Sequence, residues 1–270
     1  MGGKTKATQL HSRGIKMKIG IIGHGFVGQS VANAFDSVLI SDPAYNKVTI
    51  QDVLDQSPDA IFICVPTPEK PDGFVDGSIV KSVIDAIPDG ILTIVKSTIT
   101  PDWLPIGKIG LVMNPEFLTQ ANAKHEFMNP SMQVFGGDKI DTDKAVEVYK
   151  HSSVAKCPEY HTDITTACLV KYCINSFLAT KVSFLNELYD LYTTYTGNDW
   201  DQLINIVSSD PRIGGSHLNV PNNGMFGFGG ACFPKDTSAL LNFALSNNCS
   251  LNVLNAAISV NDDIQETKNK

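Results

Sequence analysis

Apolar and polar positions along this chain fall into short blocks of two kinds. Residues 18–23, KIGIIG, form a brief run rich in isoleucine. Similar runs recur at 38–41 (VLIS), 60–65 (AIFICV), 92–97 (LTIVKS), 109–113 (IGLVM) and 132–137 (MQVFGG). Short apolar runs rich in branched side chains and bounded by turn residues read as buried strands. Between several of them the apolar spacing becomes helical. In FVGQSVANAF, for example, Phe26, Val27, Val31, Ala34 and Phe35 share one face. Strands alternating with helices imply a parallel sheet wound on both faces. After residue 160 the pattern changes. Thr165 to Tyr195 reads as one long helix without Pro or Gly, on which Phe184, Leu188 and Leu191 supply apolar packing. Further helices are expected near Asp236 and from Leu251 onward.

The turn after the first strand carries chemistry. Gly23-His24-Gly25-Phe26-Val27-Gly28 leads from strand into helix, and the second strand ends at Asp42, nineteen residues after Gly23. The first glycine permits a tight turn, and the second lets the backbone approach a pyrophosphate. The third lets helix and strand pack closely, with the helix N-terminus facing the phosphates. A carboxylate at Asp42 can accept hydrogen bonds from a ribose. No arginine follows it, which favours NAD over NADP. His24 reads as a loop residue only. The fold class is therefore α/β, a Rossmann-like doubly wound parallel sheet over residues 17–160. A mainly helical central domain over 161–270 follows. Parallel sheets place ligands at the carboxyl ends of their strands. Val65-Pro66-Thr67-Pro68, Lys96-Ser97-Thr98 and Asn114-Pro115-Glu116-Phe117-Leu118 all fall there.

Composition narrows the function. The 270 residues allow two domains and leave little room for a third. The net charge of −7 argues against a broad basic surface for nucleic acid. Only Arg13 and Arg212 occur as arginines. No apolar run is expected to approach the roughly 18–20 residues that cross a bilayer, so no membrane partner is expected. The first sixteen residues are basic and polar and lack the apolar segment of a secretory leader. They read as a flexible extension, with Met17 as an alternative start. The six cysteines form no CxxC pair, so no metal site is expected. Reduced thiols in the cytoplasm are the default for such a chain.

Two features of the second half stand out. Lys171 and Asn175 lie four apart on the long helix, so ammonium and amide can address one small volume. Alone, such a pair reads as a solvated face; apolar neighbours count against that. Then Gly224, Gly227, Gly229 and Gly230 lead up to Cys232, with Pro234, Lys235 and Asp236 after it. Glycines allow close approach to a ligand. A cysteine just before a helix N-terminus is in a position that favours the thiolate. The alternative is a structural loop holding an inert thiol.

In order along the chain, the motifs GHGFVG, CVPTP, VKSTITP, MNPEFL, LVKYCINSFLATKVSFLNE, DPRIGG and GFGGACFPKD resemble the nucleotide-sugar dehydrogenase family. The last motif is similar to the UDP-glucose branch most of all. The resemblance implies a four-electron oxidation of a sugar C6 alcohol to a carboxylate with two NAD. A cysteine thiohemiacetal and then a thioester are the covalent stages. Matched residue by residue, Cys232 is the implied nucleophile. Lys171 assists proton transfer, with Asn175 beside it. Glu116 and Asp236 activate or hold the hydrolytic water, and Thr98 positions it. For NAD the match carries over Gly23, Gly25, Phe26, Val27, Gly28, Asp42, Lys47, Val65, Pro66, Thr67, Ser97 and Thr98. Phe117, Leu118, Phe228 and Gly229 match positions that line the sugar pocket. Arg212 matches an arginine that reaches a neighbouring subunit's substrate. A homodimer through the central helix is implied, with a nucleotide sugar, UDP-glucose foremost, as substrate.

The chain also departs from the pattern. Gln120 stands where the family often has an acid, and Met132 where it often has an arginine. The segment LNVPNNGMF looks longer than usual. The family's third, nucleotide-binding domain is expected to be absent, and a separate chain could supply it. Two other readings stay open: a non-catalytic NAD-binding regulatory homologue, and a two-electron β-hydroxyacid-type dehydrogenase. The second needs no cysteine.

Overall fold

The computed structural model describes residues 16–196 and 199–269. The expected N-terminal extension, Lys16 apart, lies outside the described residues. Among the described residues, seven strands form one sheet: β1 (Ile19–Ile22), β2 (Val38–Ser41), β3 (Ala60–Ile63), β4 (Thr93–Val95), β5 (Leu111–Met113), β6 (Gln133–Gly136) and β7 (Glu159–Thr162). Their order is β2-β1-β3-β4-β5-β6-β7. β1 pairs in parallel with both β2 and β3, with Ile19 opposite Val38 and Ala60. The chain thus reverses its direction of winding between β1 and β3, the switch point where such sheets bind ligands.

Alternation within the strands sends side chains to two cores. Ile19, Ile21, Phe62, Ile94 and Val112 face one core. It is covered by α1 (Phe26–Ala34), α4 (Ala123–Met128) and α5 (Lys139–Lys150). Ile22, Ile61, Ile63, Val95 and Met113 face the other. It is covered by α3 (Ser78–Ala86) and the start of α6 (Ile164–Tyr195). Burial on both faces is why the strands read as near-continuous apolar runs. Burying each such isoleucine contributes about 1.5–3 kcal/mol. α2 (Ile50–Asp55) begins with a capping box between Thr49 and Asp52.

Two sheet features differ from expectation. β6 runs antiparallel to β5, joined through Met113 and Gly136, so the sheet is mostly rather than wholly parallel. Strand direction leaves no mark in an apolar run. β7, parallel to β6, was not expected as a strand. It is an edge strand whose Glu159, Tyr160 and His161 are exposed, so it lacks apolar alternation. It also carries the sheet to Thr162, past the expected boundary at 160.

α6 is 32 residues long, about 48 Å at 1.5 Å per residue. Its start packs against β5 and β6, and Gly136 lets it approach: a Cβ there would lie 2.4 Å from that of Ala167. Asp163 caps it by accepting the Thr166 N–H. By length and hydropathy α6 could cross a membrane, contrary to the expectation that no stretch would. Yet it buries Lys171, Asn175, Ser183 and Asn186 against the rest of the fold, as the core helix of a folded unit does. Of the residues expected to supply apolar packing, Phe184 and Leu191 are exposed in the single chain, while Leu188 is packed within it. α7 (Trp200–Ser208), α8 (Phe233–Ser246) and α9 (Asn252–Lys268) complete the second half, with α8 and α9 packed on α6.

Candidate active site

The glycine turn has the geometry of a phosphate cradle. Gly23 has φ +96, and its added Cβ would press on the Cys64 carbonyl at 2.6 Å. At Gly28 a Cβ would meet the Gly23 carbonyl oxygen at 2.0 Å, so only glycine lets α1 start there. At Gly25 no described residue lies within 4 Å of the added Cβ, leaving open space at the helix N-terminus. Gly25 is the N-cap of α1 and offers no side-chain cap, so the first-turn N–H groups face that space. The Asp42 carboxylate accepts from the His24 N–H at 2.6 Å and the Ala44 N–H at 2.8 Å. An ionised carboxylate offers about four lone-pair sites, so it retains room for ribose hydroxyls. The residues present fit a dinucleotide. Phe26, the first residue of α1, and Lys47 are exposed. The His24 ring, expected only to fill a loop, lies 4.0 Å from that of Tyr45.

At the carboxyl ends of β3 and β4, Ser97 Oγ donates to the Val65 carbonyl at 2.7 Å. Thr67 Oγ1 donates to the Thr98 carbonyl at 2.8 Å. These bonds tie the two loops together. Val27, Val65, Pro66, Thr67, Ser97 and Thr98 then line a cavity of about 170 Å³. Its far wall comes from the second half: Lys171, Cys232, Lys235 and Asp236. Glu116 and Leu118 close it from the loop after β5.

Around Cys232 the chain brings its charged groups together. Cys232 is the N-cap residue of α8 and is exposed, with Pro234 in the first turn. Asp236, one turn on, is buried. Its Oδ2 accepts from Asn175 Nδ2 at 2.6 Å, and its Oδ1 from Lys235 Nζ at 2.6 Å. Lys171 is 6% exposed, so Lys171 and Asn175 do not form a solvated face. Burial holds the Lys171 ammonium below its ordinary pKa, although Asp236, Cys232 and Glu116 pull the other way. Among the described residues no carboxylate lies within ion-pair distance of it.

A second cavity, of about 280 Å³, shares Leu118, Lys171 and Cys232 with the first and adds Phe117, Gln120, Asn175 and Gly229. A third, of about 610 Å³, adjoins it through His217, Gly229, Gly230 and Phe233, and includes Phe228. His217 lines both. Burial and then Lys181 lower its pKa, so it is neutral near pH 7. Arg212 lines none of these cavities. Its exposed guanidinium donates to Asp210 through Nε and Nη2.

Two lysines went without a role in the sequence reading. Lys235 fixes Asp236. Lys96 is buried at the end of β4, and its ammonium meets Glu116 Oε2 at 3.0 Å. Burial opposes that charge, but Glu116 and Tyr149 outweigh it and hold Lys96 above lysine's usual range. The available signal was a lysine inside the apolar run LTIVKS.

Comparison with known proteins gives a consistent result. Residues 45–153 match the model of the UDP-glucose/GDP-mannose dehydrogenase family, NAD binding domain. Residues 165–263 match the central domain of the same family. The glycine turn and Asp42 precede the first matched span. UDP-glucose 6-dehydrogenase of Rickettsia felis is 36% identical over 220 residues, covering 76% of this chain and 48% of that protein. UDP-glucose 6-dehydrogenase AglM of Haloferax volcanii is 31% identical over 232 residues, covering 76% of this chain and 52% of that protein. The chain thus spans about half the length of these curated relatives. A UDP-glucose dehydrogenase structure from the archaeon Pyrobaculum islandicum superposes with a TM-score of 0.77 at 28% identity. It covers 93% of this chain and 69% of that one.

Proposed function

The chain belongs to the UDP-glucose/GDP-mannose dehydrogenase family and carries its NAD-binding domain, and from that premise we propose that it oxidises the C6 alcohol of a nucleotide sugar, UDP-glucose, to the carboxylate. One observation carries the reading. Six groups from both halves, Thr98, Glu116, Lys171, Cys232, Lys235 and Asp236, line one cavity beside the glycine cradle. NAD, when bound, supplies the hydride acceptor for both oxidations. The residues that hold it are Gly23, Gly25, Phe26, Val27, Gly28, Asp42 and Lys47, with Val65, Pro66, Thr67, Ser97 and Thr98 beyond them.

The protein's own groups do the rest. Lys171, its pKa lowered by burial, takes the C6 hydroxyl proton and then stabilises charge on that oxygen. Cys232 Sγ adds to the aldehyde carbon, because a thiolate is a strong nucleophile and a good leaving group. Oxidation of the adduct gives a thioester at Cys232, and water releases the carboxylate. Asn175, bonded to Asp236, fixes the polar wall behind the sulfur. Glu116, Asp236 and Thr98 hold the water. Phe117, Leu118, Phe228 and Gly229 shape the sugar side.

The enzyme acts as a homodimer in this reading, supported by an apolar stripe along α6. Phe177, Phe184 and Leu191 recur at seven-residue intervals and are 69%, 60% and 65% exposed. Arg212, exposed and away from its own chain's cavities, then reaches the partner's substrate. A third domain, on this polypeptide or another, supplies the remaining nucleotide contacts, and the enzyme works in the cytoplasm. Mixing the protein with NAD and UDP-glucose tests the reading. UDP-glucuronate is expected, and Cys232→Ser is expected to lose it. A variant as fast as the parent would refute covalent capture. NAD binding without turnover of any nucleotide sugar would refute the activity.

A further inference from the structure

We propose that Lys96 is a positioning residue for the hydrolytic step: it holds the Glu116 carboxylate in place in the Cys232 cavity, so that Glu116 orients the water attacking the Cys232-bound acyl group. The inference rests on the activity proposed above.

The geometry supplies the reason. Glu116 follows β5 on a loop, and its two oxygens have different partners. Oε1 accepts the N–H of its own neighbour Phe117 at 3.1 Å. Oε2 meets Lys96 Nζ at 3.0 Å. Only the second bond anchors the carboxylate to a different part of the fold. Lys96 itself has no freedom. It is 3% exposed, and three acceptors surround its three donors. These are Glu116 Oε2, Asn114 Oδ1 at 2.9 Å and Tyr149 Oη at 3.3 Å. Tyr149 Oη donates in turn to Asn114 Oδ1 at 2.7 Å, and Asn114 Nδ2 donates to the Val134 carbonyl at 2.8 Å. The network pins Glu116 to β4, β6 and α5 at once.

The fold alone does not call for this lysine. A buried ion pair is often no more stabilising than an apolar pair of similar volume. Its neighbours Ile94 and Val95 are apolar and fully buried. What the charge adds is an oriented carboxylate in a cavity shared with Cys232. The opposite wall repeats the device, with Lys235 and Asn175 holding Asp236. Both cavity carboxylates are thereby occupied by lysines of their own. Lys171 is left as the buried cation free to exchange a proton. In the hydrolysis, water oxygen bonds to the acyl carbon. The C–S bond breaks with its electron pair left on Cys232 Sγ. One proton passes to Lys171, which has by then released to solvent the proton taken in the oxidation, and the other goes to solvent directly.

The test follows the acyl-enzyme directly. The full chain is mixed with NAD and UDP-glucose, quenched and weighed by intact-mass spectrometry while NADH is recorded. In Lys96→Met, turnover is expected to fall ~10-fold or more. The loss should come as a burst of NADH with sugar acyl persisting on Cys232, which a merely structural role would not produce. Lys96→Arg, which keeps a cation, should accumulate less adduct than Lys96→Met. Lys96→Met with Glu116→Gln removes the pair together. It should regain most of the urea midpoint lost by Lys96→Met alone, yet turn over no slower than Glu116→Gln, because the two act as one unit. Parent-like turnover in Lys96→Met, slow turnover without adduct, or losses that simply add would overturn the inference. A parent that releases no carboxylate overturns the proposed activity and this role with it, and the urea cycle then still reports whether Lys96 and Glu116 are coupled.

Discussion

The glycine cradle and the cysteine cavity meet at the carboxyl ends of the strands but are built in opposite ways. The cradle is made of backbone. Its parts lie within one stretch from Gly23 to Asp42, and its central feature at Gly25 is open space. The cavity is made of side chains. They come from the ends of β3 and β4, the loop after β5, the first third of α6 and the start of α8. The contrast teaches where each site is vulnerable. The cradle fails when an atom is added to the chain. The cavity fails when a charge is taken away.

The largest expected effect comes from adding an atom. Gly28→Val places carbon against the Gly23 carbonyl, where even a Cβ would sit at 2.0 Å. Backbone on both sides must shift, so NAD binding measured by calorimetry should be lost. Retained binding would show that α1 can start elsewhere and that the cradle is not rigid.

Taking a charge away comes next. Lys171→Met should lower kcat by about 10²–10⁴-fold, the usual range for a lost proton-transfer group, while NAD affinity stays close to the parent's. The pH profile sharpens this. Burial lowers the Lys171 pKa, so the proton-accepting neutral amine grows as pH rises. Parent activity should therefore climb through an inflection below lysine's ordinary value of about 10.4, and Lys171→Met should lack that limb. An unchanged limb would assign it to another group.

The smallest effect should be at the rim of the cradle. Asp42→Ala removes a ribose acceptor and the bond to the His24 N–H. A bond of this kind contributes about 1–2 kcal/mol, so NAD should bind about ten times more weakly. Equal affinity would mean that Asp42 serves only the turn.

The same contrast explains what could be read from the chain. The cradle is local, and glycines, helix and terminal acid stood in one readable line. α6 was also legible, expected from Thr165 and found from Ile164, because a helix of this length repeats its pattern many times. The cavity was legible only as separate motifs. Nothing in the order of residues says that Asn175 and Asp236, 61 positions apart, share a hydrogen bond. Lys96 and Glu116 meet through neighbouring strands whose pairing is a tertiary fact. β7 was missed because its exposed side chains carry no apolar alternation. The reversal of β6 was missed because burial, not direction, shapes the composition of a strand.

In the proposed reaction one cavity carries out both oxidations, and the aldehyde made by the first is captured on Cys232 before the second. The most direct test is the ratio of NADH formed to sugar carboxylate released, measured in one reaction under single-substrate exhaustion. Two NADH are expected for every carboxylate, with no free aldehyde in solution. One NADH per sugar, with an aldehyde or ketone as the released product, would contradict it.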